Sequence, residues 1–220
     1  MQQNTPPKGT GTTRPAGAYQ QMKPILPLKL PQRSSTQLQH SMEQTLAQHP
    51  SPHQGVWLFV YGHLAKQPPF KFVTQKPWVL RGWQRSFHLA DSLNRGTSNA
   101  PGLTLGLQPG TQCAGMAYLL SWAECTQALM PVWEQEMLVP FYTPQWLQSE
   151  GTLLLTMVTD PASPALWQPL SVTETAAVIA SSSGAQGSNT TYLTDVIDAF
   201  AEHHQPDPYL ASIKNALSGT

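Results

Sequence analysis

Residues 55–61 read Gly-Val-Trp-Leu-Phe-Val-Tyr, and residues 152–159 read Thr-Leu-Leu-Leu-Thr-Met-Val-Thr. Each is a short, nearly continuous apolar run. A strand with one wet face alternates apolar and polar residues; a run without alternation fits a strand buried on both faces. Two such strands about a hundred residues apart call for a sheet covered on both sides, and the residues between and after them must supply the cover. Asp160-Pro161 closes the second run.

Working outward, Trp78–Ala90 mixes aromatic, branched and polar residues around Gly82, which predicts a strand with a bend or bulge. Leu103–Leu107 and Cys113–Leu120 read as two strands joined by a turn at Gln108-Pro109-Gly110. Trp122–Met137 reads as a helix that Pro131 kinks or shortens. The pattern then turns helical. Ser171 and Glu174 have capping-box spacing before Ala176–Ala180. Asn189 is placed to cap a helix carrying Tyr192, Leu193, Val196, Ile197 and Phe200 on one side. Asp207-Pro208 opens a last helix with Leu210, Ile213 and Leu217. Strands come first and helices gather late, so the expected class is α+β rather than a doubly wound sheet.

The expected domain is 55–220. Residues 1–54 differ in composition: eight Pro, ten Gln, five basic residues against the single acid Glu43, and Tyr19 as the only aromatic. Such a segment buries too little apolar area to offset its ordering entropy, so we expect a disordered arm, firmest over 1–33. Leu38, Met42 and Leu46 are four apart and predict a short helix over 36–48 that packs on the domain; a regulatory arm is the alternative.

Charge narrows the function. Twelve Lys+Arg balance twelve Asp+Glu over 220 residues, which argues against a nucleic-acid or anionic-membrane binder. No stretch approaches the ~20 apolar residues of a membrane span, and the N-terminus lacks a secretory apolar core. Two Cys make no disulfide framework or metal cluster, and they fit a reduced cytoplasmic setting. There is no phosphate-cradling glycine motif and no G-x-S-x-G. Cys113 and Cys125 are not a C-x-x-C pair, and the adjacent His203 and His204 point about 100° apart on a helix, a poor metal pair.

Two places carry potential chemistry. Tyr61-Gly62-His63-Leu64 follows a buried strand, where a glycine turn exposes N–H groups able to hold an anion. On their own, these four residues read as an ordinary tight turn. Trp133-Glu134-Gln135-Glu136-Met137 puts two glutamates on different sides of a helix, so at most one faces inward. A buried glutamate has a raised pKa and serves as a base near neutral pH. Periodicity does not choose between them, and by composition alone both read as surface residues.

Taken in order, these segments resemble the ChaC-like, glutathione-specific gamma-glutamylcyclotransferases of the bacterial type. The family's Phe-Gly-Tyr-Gly-Ser-Leu loop corresponds to Phe59-Val60-Tyr61-Gly62-His63-Leu64, and its Gly-aromatic-x-Arg-x-Phe segment to Gly82-Trp83-Gln84-Arg85-Ser86-Phe87. Arg95-Gly96-Thr97, Pro101-Gly102 and Gly115-Met116-Ala117-Tyr118 follow. Then come Val132–Met137, Tyr142-Thr143-Pro144-Gln145-Trp146, and the late run from Ser183 to Leu193. The resemblance implies a small mixed β-barrel with packed helices. It also implies cleavage of glutathione, the small-molecule partner, to 5-oxoproline and Cys-Gly, with no cofactor or metal. It makes Glu136 the catalytic carboxylate and Glu134 a variable position. It assigns substrate binding to Val60, Tyr61, Gly62, His63, Leu64 and Ala65, with Tyr142 and Tyr192 near the pocket. Three departures stand out: His63 replaces the loop Ser, Val60 replaces a Gly, and Ala65-Lys66 replaces an apolar-Trp pair. They leave two alternatives, a non-catalytic gamma-glutamyl-binding or regulatory module and a cyclotransferase for another gamma-glutamyl amine.

Overall fold

The fold is that of a computed structural model, which describes residues 30–218. The two apolar runs become neighbouring strands at the centre of a five-stranded sheet. β1 (Val56–Val60) lies parallel to β5 (Thr152–Thr159), with Trp57 opposite Leu154 and Leu58 opposite Leu155. On its other side β1 runs antiparallel to β3 (Gly102–Leu120). β2 (Thr74–Asp91) pairs with β3 and β4 (Tyr142–Ser149) with β5, giving the order β2-β3-β1-β5-β4. The sheet curls into a half-barrel, and the expected α+β class and mixed barrel-like sheet are borne out. Val56, Leu58, Phe59 and Val60 are all buried, as a two-faced central strand requires.

Gly82 marks the expected bulge. Its φ is +82°, and the register slips between Arg81 and Trp83. The turn expected at Gln108-Pro109-Gly110 does not form. Leu103–Leu107 and Cys113–Leu120 belong to one strand, because β2 is long enough to pair with both halves. Trp83 pairs with Pro109 and Arg81 with Gln112, so Gly110 and Thr111 leave the ladder opposite the Gly82 bulge. The Pro-Gly pair bends a continuous strand there instead of reversing it.

α2 (Cys125–Glu136) contains Pro131 and follows a single 3-10 turn at Trp122–Glu124. α3 (Val172–Ser181) starts at the predicted capping box: Ser171 Oγ accepts from the Glu174 N–H, and Glu174 accepts from the Ser171 N–H. α5 (Pro208–Ser218) is opened by Asp207, which accepts from the N–H groups of Tyr209 and Leu210. α4 (Asn189–Glu202) buries Tyr192, Leu193, Val196 and Phe200 as its periodicity predicts. Its cap differs from the expectation. Ser188 caps the helix, accepting from the Thr191 N–H. Asn189 is fully buried and clamps Leu103, accepting from its N–H at 2.6 Å and donating to its carbonyl at 2.8 Å. An amide carries the donor and the acceptor that one strand residue presents.

The predicted N-terminal helix forms as α1 (Ser35–Leu46) with a capping box at Ser34, and it packs on α2. Leu38, Met42 and Leu46 are buried. Trp133 donates to Ser41 Oγ, and Trp146 donates to the Thr45 carbonyl. Leu30 is 3% exposed, and the Arg33 N–H donates to the Leu138 carbonyl. Residues 30–33, expected to be disordered, are thus anchored on the domain: an apolar residue and backbone pairing outweigh a polar average. The rest of that expectation, residues 1–29, lies outside the described residues.

Candidate active site

Where β1 ends, the chain makes a 3-10 turn at His63–Ala65, with the Ala65 N–H on the Gly62 carbonyl at 3.1 Å. The first N–H groups of such a turn have no partner inside it. The turn is held from behind by Arg85 of β2, whose guanidinium donates to the Tyr61 carbonyl at 2.7 Å and lies 4.2 Å from the Phe200 ring centroid. The same guanidinium pairs with Asp207 at 2.9 Å, an ion pair whose angle falls outside hydrogen-bond geometry. Gly115 of β3 lets the end of β1 approach: a Cβ there would meet the Phe59 ring and the Val60 carbonyl at 2.6 Å.

The turn forms one wall of a small cavity beneath it. Val60, Tyr61, Gly62, His63 and Leu64 line it from the turn side, and Val132 and Glu136 from α2. Three tyrosines complete it, each with its hydroxyl engaged. Tyr61 donates to the Met157 carbonyl at 2.8 Å, Tyr142 donates to the Leu105 carbonyl at 2.6 Å, and Tyr192 lies 3.3 Å from Thr104 Oγ1. Burial raises all three phenols, Tyr192 to about 12, so they remain neutral hydrogen-bonding groups.

Glu136 ends α2 with its side chain 14% exposed, and its Oε1 lies 3.7 Å from His63 Nε2. Desolvation raises its pKa above the ordinary carboxylate value, and the nearby His63 partly offsets that rise. Glu134 is exposed and lines only a broader outer basin that adjoins the cavity. The helical geometry thus separates the two glutamates that periodicity left equivalent. Arg33 holds the residues after Glu136, donating from its guanidinium to the Met137 carbonyl at 2.6 Å. A cation on the last carbonyls of α2 also complements the helix dipole.

Of the residues predicted from sequence, Val60, Tyr61, Gly62, His63, Leu64, Glu136, Tyr142 and Tyr192 come together around this cavity, whereas Ala65, the last residue of the turn, is buried and does not line it. Sequence reading missed Thr104 and Met157 in the cavity and Asp91, Asn94 and Gln186 in the basin. A lone threonine in the apolar run Leu103–Leu107 was a usable signal; Asn94 and Gln186 gave none. Among the described residues, no group of three or more His, Cys, Asp or Glu is placed to hold a metal ion. No helix among them is long and apolar enough to cross a membrane.

Comparison with known proteins bears on this arrangement. An Escherichia coli protein named glutathione-specific gamma-glutamylcyclotransferase is 33% identical over 165 residues, covering 73% of this chain and 71% of the relative. The human glutathione-specific gamma-glutamylcyclotransferase 1 is 28% identical over 177 residues, covering 74% and 79%. A crystal structure from yeast, described as a gamma-glutamylcyclotransferase specific to glutathione, superposes with a TM-score of 0.67 at 21% identity, covering 75% of this chain and 98% of that one. It therefore shares the fold. The family model for ChaC-like protein matches residues 56–218, from β1 to α5. With its turn, helix and sheet arranged around one cavity, the chain belongs to the ChaC-like family.

Proposed function

We propose that this protein is a gamma-glutamylcyclotransferase, a lyase that cleaves glutathione to 5-oxoproline and Cys-Gly. One observation carries the reading: Glu136 is the only carboxylate among the described residues lining the cavity, and it faces the Tyr61–Leu64 turn. The names of the Escherichia coli and human relatives support the choice of substrate. We propose the cytoplasm as its compartment, consistent with the free, buried Cys113 and Cys125.

The chemistry asks for this arrangement. The α-amine of the γ-glutamyl group attacks its own γ-carbonyl and closes a five-membered ring. Near neutral pH that amine is an ammonium and has no lone pair to offer. The Glu136 carboxylate accepts its proton and later returns one to the departing cysteine nitrogen. General acid–base assistance of this kind is worth about 10²–10⁴ in rate. The turn would hold the glutamyl part in a ring-closing pose, an orientation effect, and its N–H groups are suited to the oxyanion that develops on the γ-carbonyl. The nucleophile belongs to the substrate, so the proposed chemistry calls for no cofactor.

The test is incubation of the purified protein with reduced glutathione, with other gamma-glutamyl amines assayed in parallel. The expected result is equal release of 5-oxoproline and Cys-Gly, little changed by EDTA. If no gamma-glutamyl compound yields 5-oxoproline, the enzyme reading fails and a binding module of the same fold takes its place.

A further inference from the structure

The cyclisation moves two protons, and a single carboxylate holds only one. The attacking nitrogen begins as an ammonium and ends as a lactam N–H. The leaving nitrogen begins as an amide N–H and ends as an ammonium. Two protons therefore leave one nitrogen and two arrive at the other. We propose that His63 is the second proton carrier, acting beside Glu136 on the reacting nitrogens; the proposal rests on the cyclotransferase reading.

The geometry supports it. His63 Nε2 and Glu136 Oε1 are 3.7 Å apart at the mouth of the cavity. Two hydrogen bonds of about 2.9 Å close a triangle on that base, so one nitrogen seated there contacts both groups. The imidazole leans on the Tyr192 ring, with centroids 6.0 Å apart, while its side chain stays 44% exposed. One side thus faces the reacting atoms and the other faces water, as a proton carrier needs. The surrounding titratable and charged groups are Glu136 on α2, Tyr192 on α4, and the ion pair of Lys66 with Asp195 beside the turn. Asp91 and Glu134 lie across the outer basin.

The steps balance. Glu136 takes the first proton from the ammonium. The freed lone pair forms the new C–N bond, and the γ-carbonyl pair moves to oxygen. The ring nitrogen now carries two hydrogens and a positive charge, and one proton passes to His63 Nε2. Glu136 delivers its proton to the cysteine nitrogen. The carbonyl reforms, and the pair of the breaking C–N bond leaves with that nitrogen. The His63 imidazolium then returns its proton to the free amine of Cys-Gly, directly or through water, and both groups regain their starting states.

The test uses H63Q and H63A with glutathione as substrate. Both variants should lose about 10²-fold in kcat, with KM within a few-fold of wild type. Added imidazole should restore H63A, because the vacated site opens to water. An active wild type with H63Q unchanged in kcat would overturn the role of His63 alone. So would an H63A that stays folded and impaired while imidazole has no effect, because the ring would then act through shape. A wild type that releases no 5-oxoproline overturns the cyclotransferase reading itself.

Discussion

Replacing Arg85 with methionine tests how the turn is held. The Arg85 side chain is 1% exposed and Asp207 is 12% exposed, so this ion pair sits in a largely dry setting. Methionine keeps most of the aliphatic stem, but it removes the charge, the guanidinium that lies over Phe200 and the hydrogen bond to the Tyr61 carbonyl. Breaking one side of a buried pair costs about 3–5 kcal/mol. Asp207 keeps the N–H groups of Tyr209 and Leu210, which places the loss at the low end. The unpaired Tyr61 carbonyl adds about 1 kcal/mol. The expected total is about 4 kcal/mol, or roughly 8–16 °C in melting temperature for a chain of this size. Urea titration measures the free energy directly. The double variant Arg85→Met/Asp207→Asn should recover about half, because no uncompensated charge remains and the asparagine carbonyl still accepts both N–H groups. A loss below about 1 kcal/mol in the single variant, or strict additivity in the double, would refute the view that this pair anchors the turn.

Asn189→Leu leaves the Leu103 N–H and carbonyl buried without partners and should cost about 2–4 kcal/mol by urea titration, whereas a surface change such as Glu134→Gln should not register. Removal of residues 1–29 should leave the melting temperature unchanged. Removal of 1–47 takes away Leu38, Met42 and Leu46, at about 2 kcal/mol each, and should leave an unstable or insoluble protein. Because burial raises the pKa of Glu136, kcat/KM should rise with pH through a midpoint above the ordinary carboxylate value. The linkage has the opposite sign for stability. The folded state binds that proton more tightly than the unfolded chain does, so stability falls as pH rises from the unfolded pKa to the folded one. Above that window Glu136→Gln should melt at or above the wild-type temperature, and calorimetry at neutral pH checks it.

The sequence made the sheet's centre plain because β1 and β5 are apolar on both faces, a pattern that a short strand shows only when both its faces are covered. It misled at Pro109-Gly110, where local turn chemistry was sound but β2 offered both halves of β3 a partner. That pairing is a long-range fact that no window of residues contains. Asn189 failed in the same way: its type fits a cap, and only the neighbouring strand reveals that its amide faces inward. The arm misled by averaging only at residues 30–33, where Leu30 is a lone apolar residue in a polar segment, whereas the stripe of α1 was legible in its spacing. At the site, the turn after β1 was legible as a turn, but its partner was not. Glu134 and Glu136 are equivalent to periodicity; resemblance chose between them, and the structure puts Glu136 in the cavity and Glu134 in the outer basin only.

The central claim is that the Glu136 carboxylate moves the substrate's proton. Its most direct measurement is 5-oxoproline release from reduced glutathione by Glu136→Gln and Glu134→Gln, side by side with the wild type. Glutamine keeps the size and a carbonyl but accepts no ammonium proton, so Glu136→Gln should lose at least about 10²-fold in turnover while staying folded. Glu134→Gln removes the same charge two residues away, outside the cavity, and should stay within a few-fold of wild type. Near wild-type turnover by Glu136→Gln, or a dead Glu134→Gln, would contradict the account.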